Sequence, residues 1–307
     1  MEQTFLGIEI GGTKLQLVAG DGSAAILDRI RLDVNPAQGG EGIRAQIAAA
    51  LPDLVAKWNP LAIGVGFGGP VNWRTGSIAR SHQIEGWSEF DLGAWLHGMT
   101  RLAVRVDNDA NVAALGEATL GAGAACDPVF YVTLGSGVGG GCVVGGRIYH
   151  GTIPGESELG HVRLDKSGVI VEQRCSGWAV DAKIRRLKSE GVPSVLCEWL
   201  PEKQGGEARL LARALAMGDE AAARILDETA SDLAFALSHV THLFHPELVV
   251  LGGGLSLLGE PLRAAVAAAL PGFVMEVFHG GPQVKLALLG EDAVTVGALL
   301  LARGCER

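Results

Sequence analysis

Asp109 stands in the run Asp107-Asn108-Asp109-Ala110-Asn111, just past an apolar segment and just before a helix-compatible one. An ionised carboxylate at such a junction can accept the proton of a hydroxyl as that hydroxyl attacks a phosphoryl group. Asn108, which both donates and accepts, can orient the hydroxyl or a neighbour. The same residues also read as helix caps, because Asp and Asn satisfy the free N–H groups of a first turn. Asn108, Asp109 and Asn111 are more capping-type residues than one cap needs, which tilts the segment toward a site.

A second polar cluster is Gly155-Glu156-Ser157-Glu158-Leu159-Gly160-His161, in which Glu158 and His161 can share one polyol. Alone, it reads as a solvated turn, and Glu172 a short loop further on is unremarkable by itself. Anion binding has its own signature, which occurs twice. Gly11-Gly12-Thr13-Lys14 and Gly135-Ser136-Gly137 each interrupt strand-like apolar residues, as tight turns carrying a hydroxyl. Glycine lets backbone N–H groups approach a phosphate, and two such hairpins from two halves of a chain can clamp a nucleotide. A single copy needs glycine only for positive φ; the repetition favours the binding reading. Lys14 is either an exposed hairpin charge or a cation for nucleotide phosphates. Gly252-Gly253-Gly254, after a buried strand, either opens a helix toward a nucleotide or makes a packing turn.

These residues need a scaffold of alternating elements. After the first hairpin the pattern predicts a strand over 26–34, a helix over 42–58 and a buried strand over 61–67 ending in Gly68-Gly69-Pro70. A helix over 90–99 and a strand over 102–106 follow, then the Asp109 helix to about 120. The second half begins with the second hairpin and continues through a long polar loop to helices from 179. Leu226, Ala230, Leu233, Leu237, Val240 and Phe244 step by four and three, one buried face of a long helix that Pro246 ends. Residues 248–251 form a buried strand, 293–302 a closing helix, and 191–207 a surface connection. Alternating strands and helices predict α/β layers.

The 307 residues, 48% hydrophobic and 19% charged, allow two domains with sizeable cores. A formal net charge of −9 argues against nucleic acid as a partner. No apolar run approaches the roughly 20 residues that span a bilayer, and the N-terminus lacks the basic and apolar regions of a leader. No membrane partner is expected, and the expected compartment is cytoplasmic. Cys126, Cys142, Cys175, Cys197 and Cys305 form no close pairs and read as buried thiols.

Taken in order, Gly11-Gly12-Thr13-Lys14, Asn108-Asp109-Ala110-Asn111, Leu134-Gly135-Ser136-Gly137-Val138-Gly139-Gly140-Gly141, Glu158-Leu159-Gly160-His161 and Leu251-Gly252-Gly253-Gly254 resemble the ROK family. That family holds bacterial sugar kinases and sugar-responsive repressors. The resemblance implies a two-domain actin/hexokinase-like (ribonuclease H-like) α/β fold, with duplicated β-hairpin-led domains around a cleft. The domains would be 1–120, closed by the C-terminal helix 293–307, and 121–292. It further implies that Asp109 is the general base and that Asn108, Glu158, His161 and Glu172 contact sugar hydroxyls. Gly68 and Gly69 would lie beside the sugar. Gly11, Gly12, Thr13, Lys14, Gly135, Ser136 and Gly137 would bind ATP phosphates, with Gly253 and Gly254 near the adenosine. Mg2+ would reach ATP largely through water.

Two departures matter. Residues 162–171, where the family carries a cysteine-rich zinc loop, are short and contain no cysteine, so no zinc is expected and something else must orient His161. Glu9 replaces the family's aspartate facing the magnesium shell, so the hydrated ion or the hairpin must shift. The resemblance implies an ATP-dependent hexose kinase, with glucose and its 6-hydroxyl as the leading substrate and domain closure expelling water. N-acetylmannosamine, N-acetylglucosamine and fructose are alternatives, as is polyphosphate for the donor. A non-catalytic sugar-sensing ROK protein is the alternative from another class. A DNA-binding role is not expected, because only six residues precede Gly7 and the chain is acidic. Family analogy implies a homodimer.

Overall fold

The computed structural model describes residues 3–79, 84–153, 155, 157–278 and 280–306. The chain divides into two compact units, Met1–Ala125 with Gly141–Ser157 and Leu289–Arg307, and Cys126–Gly140 with Glu158–Leu288. The first unit opens on an antiparallel meander of β1 (Thr4–Ile10), β2 (Lys14–Asp21) and β3 (Ile26–Asp33). Helix α1 (Gly39–Trp58) leads to β4 (Ala62–Phe67), which pairs parallel with β1. A small ribbon, β5 (Val71–Asn72) and β6 (Ser77–Ile78), precedes α2 (Leu92–Thr100). Then come β7 (Ala103–Asn108), parallel to β4, and α3 (Asp109–Leu120). The sheet order β3-β2-β1-β4-β7 makes β1 and β4 central. Their nearly unbroken burial is what strands covered on both faces require, whereas β3 alternates as an edge strand does.

The second unit opens likewise on a hairpin, β8 (Val129–Leu134) and β9 (Val138–Val144). From Gly141 onward β9 belongs to the first unit, where it pairs with β10 (Arg147–Ile148). The second unit continues through α4 (Glu172–Cys175), α5 (Gly177–Ser189), α6 (Val195–Glu198), α7 (Leu211–Ala216) and α8 (Glu220–Phe244). Strand β11 (Leu248–Gly252) lies parallel to β8, α9 (Glu260–Ala269) follows, and β12 (Gln283–Leu286) extends the sheet beyond β11. Asp219 caps α8 by accepting the Ala222 N–H, and His245 ends it in the left-handed region. The apolar stripe of α8 is buried from Leu226 to Val240, but Phe244 at its end is 37% exposed.

The last helix, α10 (Ala293–Arg303), returns to the first unit and is buried along most of its length. A methyl group at Gly64 of β4 would overlap the Ala298 carbonyl, and one at Gly297 would overlap the Val112 carbonyl of α3. Backbone therefore meets backbone on two sides of α10, which ties the Asp109 helix to the sheet.

Three sequence expectations change in detail. Strand β7 runs two residues further than expected, so Asp107 and Asn108 end a strand, not a loop. Helix α2 starts at Leu92 because the Asp91 carboxylate accepts the Ala94 N–H. The connection over 191–207 is not wholly a surface loop. It contains α6 and ends on Glu207, 1% exposed and ion-paired with Arg185 at 2.7 Å. No helix among the described residues is long and apolar enough to cross a membrane.

Candidate active site

Strand β7 delivers Asn108 and Asp109 to the start of α3. The cap belongs to Asn108, whose Oδ1 accepts the N–H groups of Ala110 at 2.9 Å and Asn111 at 3.2 Å. Asp109 Oδ1 also accepts the Ala110 N–H, at 2.9 Å. With the cap already made, the Asp109 carboxylate is not needed for that purpose. Asn108 Nδ2 donates to Gly69 O at 3.3 Å, and a methyl group at Gly68 would stand 3.6 Å from Asp109 Oδ2. Gly68 N–H in turn donates to Ile10 O at 2.9 Å. Four expected sugar-side residues, Gly68, Gly69, Asn108 and Asp109, are thus gathered beside the first hairpin.

That hairpin closes with Gly11 N–H donating to Lys14 O at 3.0 Å. Neither Gly11 nor Gly135 of the second hairpin is in the left-handed region, and a methyl group would meet nothing closer than 3.4 and 3.9 Å. Backbone strain and packing therefore do not demand these glycines. Thr13 and Ser136 have no side-chain hydrogen bond among the described residues, which leaves both hydroxyls available as donors.

Glu9 and Lys14 have roles that the sequence left open. Glu9, 7% exposed, takes Lys14 Nζ at 3.1 Å on one oxygen and Gln16 Nε2 at 2.7 Å on the other. Gln16 lies directly across the hairpin, and its Oε1 accepts from Arg29 at 3.0 Å. The extra methylene of glutamate spans these partners while the strand register stays regular. Lys14 is an ion-paired cation, not a solvated hairpin charge.

Behind Asn108 lies a group that sequence reasoning missed. Asp107, 3% exposed, accepts from Asn108 N at 2.8 Å and Asn111 Nδ2 at 3.0 Å on Oδ1, and its Oδ2 meets His150 Nε2 at 2.6 Å. Trp73, from the turn between β5 and β6, stacks on the His150 ring with centroids 4.2 Å apart. An acidic residue at the last buried positions of an apolar strand was the available signal for Asp107. His150 gave none, because it lies 43 residues away.

The run Gly155–His161 is divided, with Gly155 and Ser157 in the first unit and Glu158 to His161 in the second; Glu156 lies outside the described residues. Glu158 and His161 are exposed on either side of a short turn in which His161 N–H donates to Glu158 O. Residues 162–171 form a miniature hairpin. Val171 N–H donates to Val162 O at 3.0 Å and Leu164 N–H to Val169 O at 2.8 Å. Asp165 ties its tip by accepting from Ser167 and Gly168, and the Ser167 hydroxyl holds its carboxyl below the usual range. His161 and Glu172 flank the two feet of this hairpin, so backbone hydrogen bonds fix the segment that carries them.

Glu172 Oε2 accepts the Val138 N–H at 3.0 Å, and a side chain at Gly137 would collide with that carboxylate. A methyl group at Gly160 would overlap the Val138 carbonyl, and Gly177 N–H donates to Gly135 O at 2.8 Å. Gly253, at φ +79°, backs onto Leu134, where a Cβ would stand 2.6 Å from its nitrogen. Packing accounts for Gly253, while Gly254 has nothing within 4 Å of a Cβ and stays open. The second hairpin is thus the hub of Glu172, the His161 turn, α5 and the Gly253 turn. Glu172→Gln keeps an oxygen for Val138 and removes only charge. The variant is expected to raise the KM for sugar about tenfold with the ATP KM unchanged, the loss of one charge-assisted contact. An unchanged sugar KM in steady-state assays would make Glu172 a purely structural ligand of the hairpin.

The cysteines are not uniformly buried. Cys142 and Cys175 are; Cys126, Cys197 and Cys305 are half-buried, and none is in a disulfide. Desolvation pushes the Cys175 thiol up to about 12, and it donates to Thr229 O. At pH 8 it is almost wholly protonated, so iodoacetamide should leave Cys175 unmodified in the native protein and alkylate it in guanidinium. Native labelling of Cys175 as fast as Cys126, read by peptide mass spectrometry, would contradict its burial. Among the described residues no group of three His, Cys, Asp or Glu side chains is arranged to hold a metal ion.

Comparison with known proteins agrees with this architecture. The ROK family model matches residues 5–304. The glucokinase of Halalkalibacterium halodurans is 31% identical over 319 aligned positions, covering 99% of this chain and 96% of the relative. The glucokinase of Thermotoga maritima is 31% identical, covering 96% and 95%. Among solved structures, a ROK family glucokinase from Streptomyces griseus in complex with glucose and AMPPNP superposes with a TM-score of 0.84. It is 29% identical, with 98% and 99% of the two chains covered.

Proposed function

The chain belongs to the ROK family, and on that premise we propose that it is an ATP-dependent hexose kinase acting on the 6-hydroxyl of glucose. The observation that carries this reading is the Asp109 carboxylate. It stands beside Gly68 and the first phosphate-type hairpin, with Asn108 already serving as the helix cap. In this role Asp109 accepts the proton of the sugar hydroxyl as its oxygen attacks the γ-phosphorus and the β–γ bridging bond to ADP breaks. Asn108, Glu158, His161 and Glu172 bind the other sugar hydroxyls, with Gly68 and Gly69 leaving room for the ring. Thr13, Ser136 and the N–H groups around Gly11, Gly12, Gly135 and Gly137 stabilise charge on the phosphates, and Gly253 and Gly254 border the adenosine.

Mg2+, arriving with ATP, would neutralise phosphate charge. The buried Glu9 carboxylate, already holding Lys14 and Gln16, fits a role outside the ion's water shell better than a direct ligand. Positioning supplies much of the remaining rate. Family membership also supports a cytoplasmic homodimer, which analytical ultracentrifugation tests.

A coupled ADP-release assay with Mg-ATP, run against glucose, N-acetylmannosamine, N-acetylglucosamine and fructose, tests the proposal. Turnover with the highest kcat/KM on glucose is expected. No turnover with any of these sugars, while calorimetry still detects sugar binding, would overturn the kinase in favour of a sensor.

A further inference from the structure

A cavity of about 1370 Å³ runs along the open edge of β7 in the first unit, lined by Val104 through Asp107 of that strand. Its lining does not include Gly68, Gly69, Asn108 or Asp109. The chain carries nine more acidic than basic residues (34 against 25), yet the charge here is positive. Four arginines, Arg74, Arg105, Arg147 and Arg303, line it, and among the described residues Asp107 is its one carboxylate.

One carboxylate, whose oxygens are held by Asn108, Asn111 and His150, leaves the four guanidinium charges in excess. None of the four arginines is in an ion pair with a carboxylate among the described residues. Two of them have other anchors. Arg303 donates to Gly22 O at 2.9 Å, and the Arg74 guanidinium lies 5.1 Å from the centre of the Trp73 ring. Guanidinium groups are good phosphate ligands, since their fork of donors matches two phosphate oxygens. The volume exceeds the roughly 300–1,000 Å³ of ordinary ligand pockets, so a molecule with more than one anionic group has room.

We propose that this cavity is a second anion site that takes a small phosphorylated molecule and regulates the enzyme through His150. His150 both lines the cavity and bonds Asp107 Oδ2, so an anion packed against its ring acts directly on the His150–Asp107 contact. Asp107 holds the backbone N–H of Asn108, the residue immediately before Asp109. Occupancy therefore reaches the base through two hydrogen bonds, with no requirement for a longer conformational path.

The test is calorimetric titration of sodium tripolyphosphate into the full chain saturated with glucose and AMPPNP, with hexose 6-phosphate and ADP as parallel titrants. One additional binding event per chain is expected for tripolyphosphate, weakened at least about tenfold in the Arg105→Ser/Arg147→Ser variant. The parallel arms distinguish a sugar phosphate from a nucleotide as the natural source of the phosphate. No additional event, or one that the double variant leaves unchanged, overturns the site. The regulatory link is read separately, as a change in kcat of at least about fivefold at saturating tripolyphosphate, abolished in His150→Gln while binding persists. Binding without any change in kcat overturns the link through His150. The calorimetry does not depend on turnover, so its failure is distinguishable from a wrong sugar assignment.

Discussion

Asp109→Asn is expected to lower kcat at least about 100-fold, the range for a positioned acid–base group, while changing folding stability by less than about 1 kcal/mol. The two halves of that expectation have different origins. Asparagine retains an oxygen that can accept the Ala110 N–H, and Asn108 continues to cap α3 through its bonds to Ala110 and Asn111. The fold therefore loses little. An amide, however, cannot take the proton of an attacking hydroxyl. If Asp109 were only a helix-start residue, the variant would be nearly wild-type in both respects. Steady-state kinetics together with thermal melts separate the cases: normal turnover removes Asp109 as the base, and a loss of activity that tracks a loss of folded protein does the same.

What was legible in the sequence was local. The two glycine hairpins, the Asn108–Asn111 run and the closing helix each declare themselves within a few residues, because turn chemistry and hydrophobic period act over that range. Asp107 and His150 were not legible as a pair, since their contact joins β7 to a segment 43 residues later with no periodic trace. Glu9 stands out in the sequence as a departure, but its partners follow only from the strand register that sets it opposite Gln16. Residues 162–171 read as a short segment without cysteine. That it folds back as a hairpin tied by Asp165 depends on backbone pairing that a ten-residue polar stretch does not announce. Glu207 looked like part of a charged surface connection, and only the tertiary contact with Arg185 explains its burial.

Gly297 shows most clearly how the fold holds the Asp109 helix in place, and Gly297→Ala is expected to destabilise the protein by about 2 kcal/mol or more. Two effects oppose each other at this position. Alanine favours a helix interior over glycine by about 1 kcal/mol. Against that, the new methyl group would overlap the Val112 carbonyl oxygen and stand 2.9 Å from Val112 Cγ1. The main obstacle is backbone, which cannot rotate aside as a side-chain tip can, so relief requires α10 and α3 to separate. The same contact is equally tight from the α3 side, because a Cβ at Gly116 would meet Ala293 O at 2.6 Å and Gly297 N at 3.2 Å. The steric cost therefore wins, and Tm should fall by roughly 3 °C or more. Gly98→Ala is the internal control: it is exposed on α2 with nothing within 4 Å of a Cβ, so propensity acts alone and the variant should be slightly more stable. Since Asp109 opens α3, the folded fraction of Gly297→Ala should also turn over more slowly than wild type, because small displacements of a catalytic group are costly. Equal or raised stability of Gly297→Ala in calorimetry would mean that α3 and α10 are not in backbone contact, and the anchoring of the Asp109 helix would need another origin.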